Sequence, residues 1–195
     1  MRIDDIGKVI HGVTLSRVQA KPGEECEKFK LFTMQDLSRE TGNYSLDIDE
    51  QLINVNPKKY DENLLSDKGR IIVGLTSYKA LVIDEEHSGK IIPSNFAVIE
   101  LQENKVDPFY FTWYFNEHPS IQKQLVVAMQ GSIIRALSVQ MLRELDVEIP
   151  DKDIQKTIGS IYRLKKLKEK KTFQKNILED ILLKEVMIKK LKEDK

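Results

Sequence analysis

The sequence predicts an α+β fold, in which a compact, strand-rich domain is followed by one long C-terminal coiled-coil helix. Over residues 1–150, short runs of β-branched and aromatic residues alternate with Gly, Pro and Asn turns, which is typical of short strands and helices. Over residues 151–195, apolar residues recur at steps of three and four without Pro, and without Gly after Gly159, which is typical of a long helix.

The composition limits the class of protein. A length of 195 residues suits one domain with an appendage. The single cysteine, Cys26, excludes an intrachain disulfide and a cysteine-built zinc site, so a reducing cytoplasm is the expected compartment. The polar start, residues 1–5, is unlike a signal peptide, and no apolar run approaches the length of a membrane span.

The net charge is zero but unevenly distributed. Residues 151–195 hold fourteen Lys and Arg against eight Asp and Glu, a net charge of +6, so residues 1–150 carry −6. We interpret the lysines as the solvated faces of the coiled coil. An acidic domain is not typical of a strong nonspecific DNA binder, so any DNA contact would depend on local clusters or on partner proteins.

The first hundred residues predict short strands separated by turns. A short helical or extended start ends at Gly12, and a loop follows at 21–23. Residues 36–43 predict a connector, 60–65 a helical turn and 66–69 a tight turn. Strands are predicted at 29–34, 51–55, 70–74, 80–83, 90–93 and 96–101, with 80–83 and 90–93 forming a hairpin around a polar tip.

The next fifty residues are predominantly helical. Pro108, after the capping residue Asp107, opens an aromatic-rich helix whose rings we expect mostly in the core. Pro119 opens a second helix that runs to Met129 and ends at Gly131. Residues 137–145 predict an amphipathic segment, residues 147–150 a short strand, and residues 154–155 the start of the long helix.

The long helix carries a seam that needs a partner. Its seam is apolar at both ends and polar in the middle, and polar seam residues fix register at a cost in stability. Because no second helix of matching length is predicted, we expect the partner to come from another chain; the alternative is that the helix folds back on the domain. The predicted dimer-interface residues are Leu164, Leu167, Lys171, Gln174, Leu178, Ile181, Glu185 and Ile188.

No catalytic or metal site is predicted. His11, His87 and His118 lack the paired spacing of metal ligands. The acidic cluster at 84–87 is interpreted as a solvated turn, and the thiol of Cys26 is flanked by two glutamates, which disfavour a reactive thiolate. An enzyme acting alone is therefore the least favoured class.

Contact with DNA is the favoured function of the polar loops. Hydroxyl, amide and cationic groups on loops can bond base edges or phosphates, although ordinary surface loops or a helix cap are the alternatives. The candidate DNA-binding residues are Thr76, Ser77, Tyr78 and Lys79 in one loop, Arg17, Gln19 and Lys21 in another, and Ser132 and Arg135 after Gly131.

Five segments, in this order, resemble the specificity subunits of type I restriction–modification enzymes. Residue Arg70 departs from the usual Asp, and the hinge at 150–155 lacks the usual Pro-Pro and Glu-Gln pairs. The resemblance also implies a recognition loop near residues 74–79. The matching segments are 65–73, 94–96, 107–111, 130–132 and 142–158, the last containing Leu142, Leu145, Val147, Ile149, Pro150, Gln155 and Ile158.

The resemblance implies a non-catalytic subunit. A complete subunit of that family has two DNA target-recognition domains, each followed by a long helix, and the two helices pair antiparallel as a ruler between half-sites. This chain resembles half of one, so a homodimer would bind two inverted copies of one half-site in double-stranded DNA. The implied partners are modification (methyltransferase) subunits, which bind S-adenosylmethionine and methylate adenine, and a restriction subunit where one is present. No cofactor is expected on this chain.

A second class of function stays open. A dimeric coiled-coil interaction protein or anti-restriction protein could keep this fold without binding DNA. The neutral overall charge and the acidic domain favour that alternative.

Overall fold

The computed structural model describes residues 1–45, 50–59, 65–129 and 136–193, and it confirms the α+β class with a long C-terminal helix. The strands are β1 Gly7–His11, β2 Glu27–Lys30, β3 Leu52–Val55, β4 Ile71–Gly74, β5 Lys79–Val82 and β6 Phe96–Leu101. The helices are α1 Ile3–Ile6, α2 Leu15–Val18, α3 Met34–Thr41, α4 Pro108–Glu117, α5 Pro119–Ala128, α6 Val139–Glu144 and α7 Lys152–Glu193. No helix in these ranges is long and apolar enough to span a bilayer.

Four antiparallel strands form the main sheet in the order β1-β6-β4-β5. Residues of β4 alternate between the two faces: Ile71 and Val73 join the core beneath α1, α4, α5 and α6, whereas Ile72 joins a second cluster with Phe32 and Leu37. Every residue of β4 is buried. A strand covered on both faces is continuously apolar, which is why this run was recognisable in the sequence.

The edge strand β5 is closed by a side chain rather than by another strand. The Asn116 side chain on α4 accepts a hydrogen bond from the Ala80 N–H and donates one to the Ala80 carbonyl, both at 2.8 Å. The same amide group donates to the Tyr162 hydroxyl at 2.9 Å. Buried Asn116 therefore satisfies the outward backbone groups of Ala80 on the edge strand and joins this strand to α7.

A separate two-stranded ribbon, β2 with β3, lies beside the main sheet. Ile53 and Val55 face inward, and with Val18 and Ile91 they form a small apolar cluster. The segment after α2 runs along β3, because Ala20 donates its N–H to the Asn54 carbonyl at 3.0 Å. The ribbon is therefore attached to the domain through its inner apolar face and through backbone hydrogen bonds such as that from the Ile91 N–H to the Lys30 carbonyl at 2.8 Å.

The predicted connector at 36–43 is wrong, because residues 36–41 belong to α3 and only Gly42 and Asn43 follow it. The Thr33 hydroxyl accepts from the Asp36 N–H at 3.1 Å, and the Asp36 carboxylate accepts from the Thr33 N–H at 2.8 Å. This reciprocal pair is a capping box. The predicted strand at 29–34 is accordingly too long, since β2 ends at Lys30 and α3 begins at Met34.

Two further predictions about strands are wrong. Residues 80–83 do not pair with 90–93; β5 pairs with β4 across a short turn, and the segment 90–93 makes only isolated bridges. Residues 147–150 form no strand, because Val147 donates to the Met1 carbonyl and no ladder continues towards Pro150. The helical turn predicted at 60–65 lies almost wholly outside the described residues.

The first half of α7 is held by the domain. Gln155 is buried. Its side-chain oxygen Oε1 accepts from the Asp107 N–H at 2.9 Å, and its side-chain Nε2 donates to the backbone carbonyls of Lys105 and Pro150. Gly159 lies so close to α4 that an added Cβ would be 2.5 Å from the Asp107 carboxylate. These contacts fix where the helix leaves the domain.

Among the described residues, the contacts of α7 continue to α3 and to Tyr44 just after it. Lys170 pairs with Glu40 at 2.7 Å, and the rings of Tyr44 and Phe173 lie 5.8 Å apart. Burial also raises the pKa of Tyr162, which faces α4, to about 12. The helix thus packs on the domain along one stripe of its first half, which partly realises the alternative that it folds back, but its seam is not on that stripe.

A buried ion pair gives a prediction about stability. Lys90 bonds the Asp36 carboxylate at 3.0 Å, and both side chains are almost fully buried. We expect Lys90→Met to lower the free energy of unfolding by about 3 kcal/mol, because it leaves a buried carboxylate without its principal counter-charge. The control is Lys68→Met, which removes an exposed pair with Glu85 and should leave the free energy of unfolding almost unchanged.

The same pair predicts a dependence on pH. Burial opposes ionisation of Asp36, but hydrogen bonds from the Thr33 N–H and from Lys90 outweigh it, so the pKa of Asp36 lies below its ordinary value. The contribution of this carboxylate is therefore complete above about pH 4 and is lost as the pH falls through the folded-state pKa. Urea titrations between pH 2 and 7 should show a weaker acid dependence in Lys90→Met than in the unmodified protein; equal slopes would contradict it.

Candidate nucleic-acid interface

The first candidate loop is a tight turn between β4 and β5. Thr76 is exposed, whereas Ser77, Tyr78 and Lys79 are half-buried, and Lys79 belongs to β5 opposite Gly74. Tyr78 has a φ of 54°, the one positive φ of a non-glycine residue in the described ranges. Such a conformation persists only where its surroundings hold it. Thr76 is thus the side chain that this turn offers most openly to a ligand.

The backbone around this turn is fixed by three hydrogen bonds. Tyr78 donates its N–H to the Gly74 carbonyl, Leu75 donates to the Asn95 carbonyl, and Leu137 donates to the Leu75 carbonyl, all within 3.0 Å. Gly74 packs closely there, since a Cβ would lie 2.3 Å from the Ser77 hydroxyl and the Ser77 and Leu37 side chains would have to move. The turn is therefore a preorganised end of the sheet.

Two predicted contacts cannot be placed. Ser132 and Arg135 lie outside the described residues, as do the neighbouring Gln130 and Gly131. Leu137, the second described residue after this gap, bonds the candidate turn at Leu75.

The second candidate set lies beside the ribbon. Arg17 belongs to α2, Gln19 bridges to Val55, and Lys21 begins a turn; all three candidate side chains are exposed. The described part of this segment is therefore partly helical and partly extended, instead of the simple loop that the sequence suggested.

The Glu24 carboxylate holds this segment in place through hydrogen bonds. Glu24 accepts hydrogen bonds from the Lys21 N–H, from the Asn56 amide and from the Lys59 ammonium, each at 3.0 Å. These bonds lower the pKa of Glu24 to about 2, the bond from Lys21 having the largest effect. At neutral pH the charge of Lys59 is consequently balanced within the protein, while Arg17 and Lys21 point to solvent.

The ribbon contributes residues that the sequence argument missed. Lys28 lies directly opposite Asn54, and both side chains are exposed on the outer face. An Asn amide can bond an adenine edge through two hydrogen bonds, and a two-stranded ribbon fits the major groove. The alternation of 51–55 contained the signal, since it places Asn54 on the face opposite Ile53 and Val55. We call Arg17, Gln19, Lys21, Lys28 and Asn54 the ribbon surface.

The acidic cluster at 84–87 has a structural role in this fold. Its carboxylates are exposed, as predicted, but His87 is buried and its Nδ1 lies 2.7 Å from Asp84, so the solvated interpretation is wrong for that residue. The hydrogen bond with His87 lowers the pKa of Asp84. Glu40, Glu86 and His87 are grouped closely enough to hold a metal ion. Arg39 and Lys170, however, already pair with the two glutamates.

The seam of α7 is open to solvent. Its leucines and isoleucines, Leu164, Leu167, Leu178, Ile181 and Ile188, are between 46% and 63% exposed. Between them Lys171 and Gln174 form a hydrogen bond of 3.2 Å, and Glu185 is exposed. Since Gln155, Gly159 and Tyr162 occupy the face that packs on the domain, the seam is available to another helix.

Comparison with known structures finds this fold in larger proteins. The chain resembles a component of a type I R-M system, studied for its complex assembly and conformational transition, with 12% identity and a TM-score of 0.60 over 93% of this chain and 44% of that one. It resembles the HsdS subunit of Thermoanaerobacter tengcongensis, with 13% identity and a TM-score of 0.54 over 88% and 38%. It resembles the type I S subunit of M. genitalium, with 16% identity and a TM-score of 0.55 over 94% and 44%.

At these identities the likeness establishes the fold, and the chain spans less than half the length of each of these proteins. None of the curated proteins matches its sequence significantly. The family model described as type I restriction modification DNA specificity domain matches residues 1–183, which include the main sheet, the ribbon and most of α7. The chain therefore belongs to the family of type I restriction–modification DNA specificity domains.

Proposed function

We propose that this chain is the DNA sequence-specificity subunit of a type I restriction–modification complex. Each copy binds one half-site, docks adenine methyltransferase subunits, and pairs its α7 with a second copy to set the spacer. The supporting observation is the combination of a firmly held junction at Gln155 and Gly159 with a seam that is exposed beyond it. A helix attached in this way can transmit a fixed distance to the domain.

The chain itself contributes binding and no chemistry in this proposal. The methyl donor, S-adenosylmethionine, is bound by the partner methyltransferase. The ribbon surface and Thr76 supply amide, hydroxyl and cationic groups of the kinds that contact base edges and phosphates. Because the domain is acidic overall, we infer that partner subunits supply most of the phosphate contacts.

The experiment is the methylome of cells that express this chain with its cognate modification subunit. A methylated, gapped, palindromic motif is the expected result, since two identical copies would bind two inverted half-sites. A gapped but asymmetric motif would overturn the homodimer and require a different specificity chain as mate. An assembled complex that adds no methylation would overturn DNA recognition.

The second candidate is a dimeric interaction or anti-restriction protein that does not bind DNA. The net charge of −6 over residues 1–150 favours it. Salt-dependent binding of the isolated dimer to DNA discriminates, since phosphate contacts release counterions and this alternative makes none.

Two substitutions test the ribbon surface. Asn54→Ala should weaken binding of the complex to its site by about 10- to 100-fold and relax specificity at one position, because an amide contact to a base edge is lost. Arg17→Met should weaken binding to all sequences and reduce the salt slope by about one.

The matched control is Asn104→Ala, an exposed asparagine in the turn after β6. Binding isotherms at several salt concentrations distinguish the loss of a base contact from the loss of a phosphate contact. Unchanged affinity and motif in Asn54→Ala would remove the ribbon from the interface.

A heptad insertion tests the ruler. We place it after Leu167, between the junction with α4 and the polar part of the seam, where it displaces Lys170 from Glu40 and Phe173 from Tyr44. Seven residues add about 10 Å of helix to each copy, so the two domains move apart by about 20 Å, or about six base pairs. We expect a longer spacer and lower modification efficiency; an unchanged spacer would contradict the ruler. A three-residue insertion, which breaks the seam, is the control and should abolish modification.

A further inference from the structure

The seam of α7 also specifies how two helices align. We propose that two copies pair antiparallel in a single register, with Lys171 of each copy opposite Gln174 of the other. This inference rests on the proposed function, which supplies the second copy, and it adds the register of pairing and the residues that meet.

The register follows from the order of apolar and polar seam residues. In an antiparallel pair, the first seam position of one heptad meets the second position of a heptad on the other helix. Lys171 opposite Gln174 then places Leu167 opposite Leu178 and Leu164 opposite Ile181. The two-fold axis repeats each contact, so four apolar layers flank two polar ones.

Within one chain these two polar side chains already bond each other, Lys171 donating to Gln174 at 3.2 Å. In the paired helices each Lys171 meets a carbonyl acceptor of the second copy, so the polar layer is satisfied across the axis. A buried polar group costs free energy unless it is hydrogen-bonded, and this register provides the bond.

Other alignments bury polar groups against apolar ones. A shift of one heptad towards the C-terminus places Lys171 opposite Ile181 and Gln174 opposite Leu178. A second heptad in the same direction leaves Leu167 opposite Lys192. A parallel pair would place Lys171 against its own copy, where like charges repel. The proposed register is the one among these that matches apolar with apolar and polar with polar residues.

The domain leaves room for this partner. Gln155, Gly159 and Tyr162 face α4, whereas Leu164 and Leu167 lie on another side of α7 and are exposed. The first turns of α7 also expose Ile154 and Ile161, beyond the seam. In the proposed register the apolar C-terminal half of the second helix runs beside these residues, which gives them an apolar neighbour.

Cysteine cross-linking tests the register directly. Cys26 is exposed and is first replaced by serine. The double variant Leu164→Cys/Ile181→Cys should then form disulfide-linked dimers under mild oxidation, because opposed seam residues bring their Cβ atoms within bonding range. The two cysteines are seventeen residues apart on one rigid helix, about 25 Å, so they cannot join within a chain.

The variants Leu164→Cys/Ile188→Cys and Leu164→Cys alone are the matched controls, and both should stay monomeric on denaturing gels. Dimers of the first control alone would establish the shifted register, and dimers of the single variant would establish a parallel pair; either overturns the proposal. Absence of dimers in all three also overturns it. Because the readout does not involve DNA, a palindromic methylome with the wrong cross-link rejects only the register, and the expected cross-link without methylation rejects only the proposed function.

Discussion

Aspartate at both Leu167 and Leu178 should abolish pairing of two copies and, with it, DNA modification. Both side chains are more than half exposed in the single chain, so the domain should fold with unchanged stability within about 0.5 kcal/mol. In a helix pair the two positions lie in the apolar layers, where four carboxylates would be buried without counter-charges. We expect the dimer dissociation constant to rise by more than 1000-fold.

Sedimentation of the purified chain and methylation in cells measure the two effects. Leu183→Asp is the matched control, because Leu183 is equally exposed on α7 but lies off the seam, and its assembly should be unchanged. A double aspartate variant that still sediments as a dimer would show that the seam is not the interface. A monomer that still methylates a gapped palindrome would show that the methyltransferase, and not α7, sets the spacer.

Valine at Gly159 should detach α7 from the domain. Even a Cβ would lie 2.5 Å from the Asp107 carboxylate and 2.9 Å from the Tyr110 N–H, which are the two groups of the cap that starts α4. Valine adds two further carbons to this gap. We expect the free energy of unfolding to fall by about 4 kcal/mol, from overpacking and from loss of the cap.

The control is Ser160→Val, which adds the same side chain at the exposed neighbouring position and should cost less than about 1 kcal/mol. Urea unfolding measures stability, and limited proteolysis between the domain and α7 measures detachment. Equal stability of the two variants would mean that α7 is not held against Asp107 in solution.

Local chemistry explains which elements were predictable. Strand β6 has its predicted bounds because six residues that form strands lie between turn residues, and α4 starts where Asp107 and Pro108 supply a cap and a fixed φ. Helix α3 was missed although Thr33 and Asp36 are spaced as a capping box. The closure of the edge of β5 was not predictable, because Ala80 bonds Asn116, thirty-six residues away.

The candidate interface was predictable only where exposure follows from the local sequence. Arg17 and Lys21 are exposed as expected of polar residues near a Pro-Gly turn. The alternation of 51–55 places Asn54 on the face opposite Ile53 and Val55, but their burial in a cluster with Val18, a long-range contact, decides that the face of Asn54 is the outer one. The exposure of the seam was predictable from heptad spacing alone, whereas the use of the first half of α7 against α4 depends on Gly159 and Gln155 together.

Because the domain is bound firmly to α7, the length of the helix determines the rotation of the domain about the helix axis as well as its position along that axis. Gln155, Tyr162 and Lys170 bind the domain at three successive levels of the helix, so the domain cannot swivel about the helix axis. Each residue added to α7 therefore turns the domain by about 100° while moving it about 1.5 Å. DNA turns about 35° per base pair, so a change of spacer alters the azimuth of a half-site too. Inserting a heptad leaves the orientation of the domain about the helix axis almost unchanged, whereas the half-site rotates with each added base pair. The intervening DNA must therefore change its twist for the half-site to face the domain.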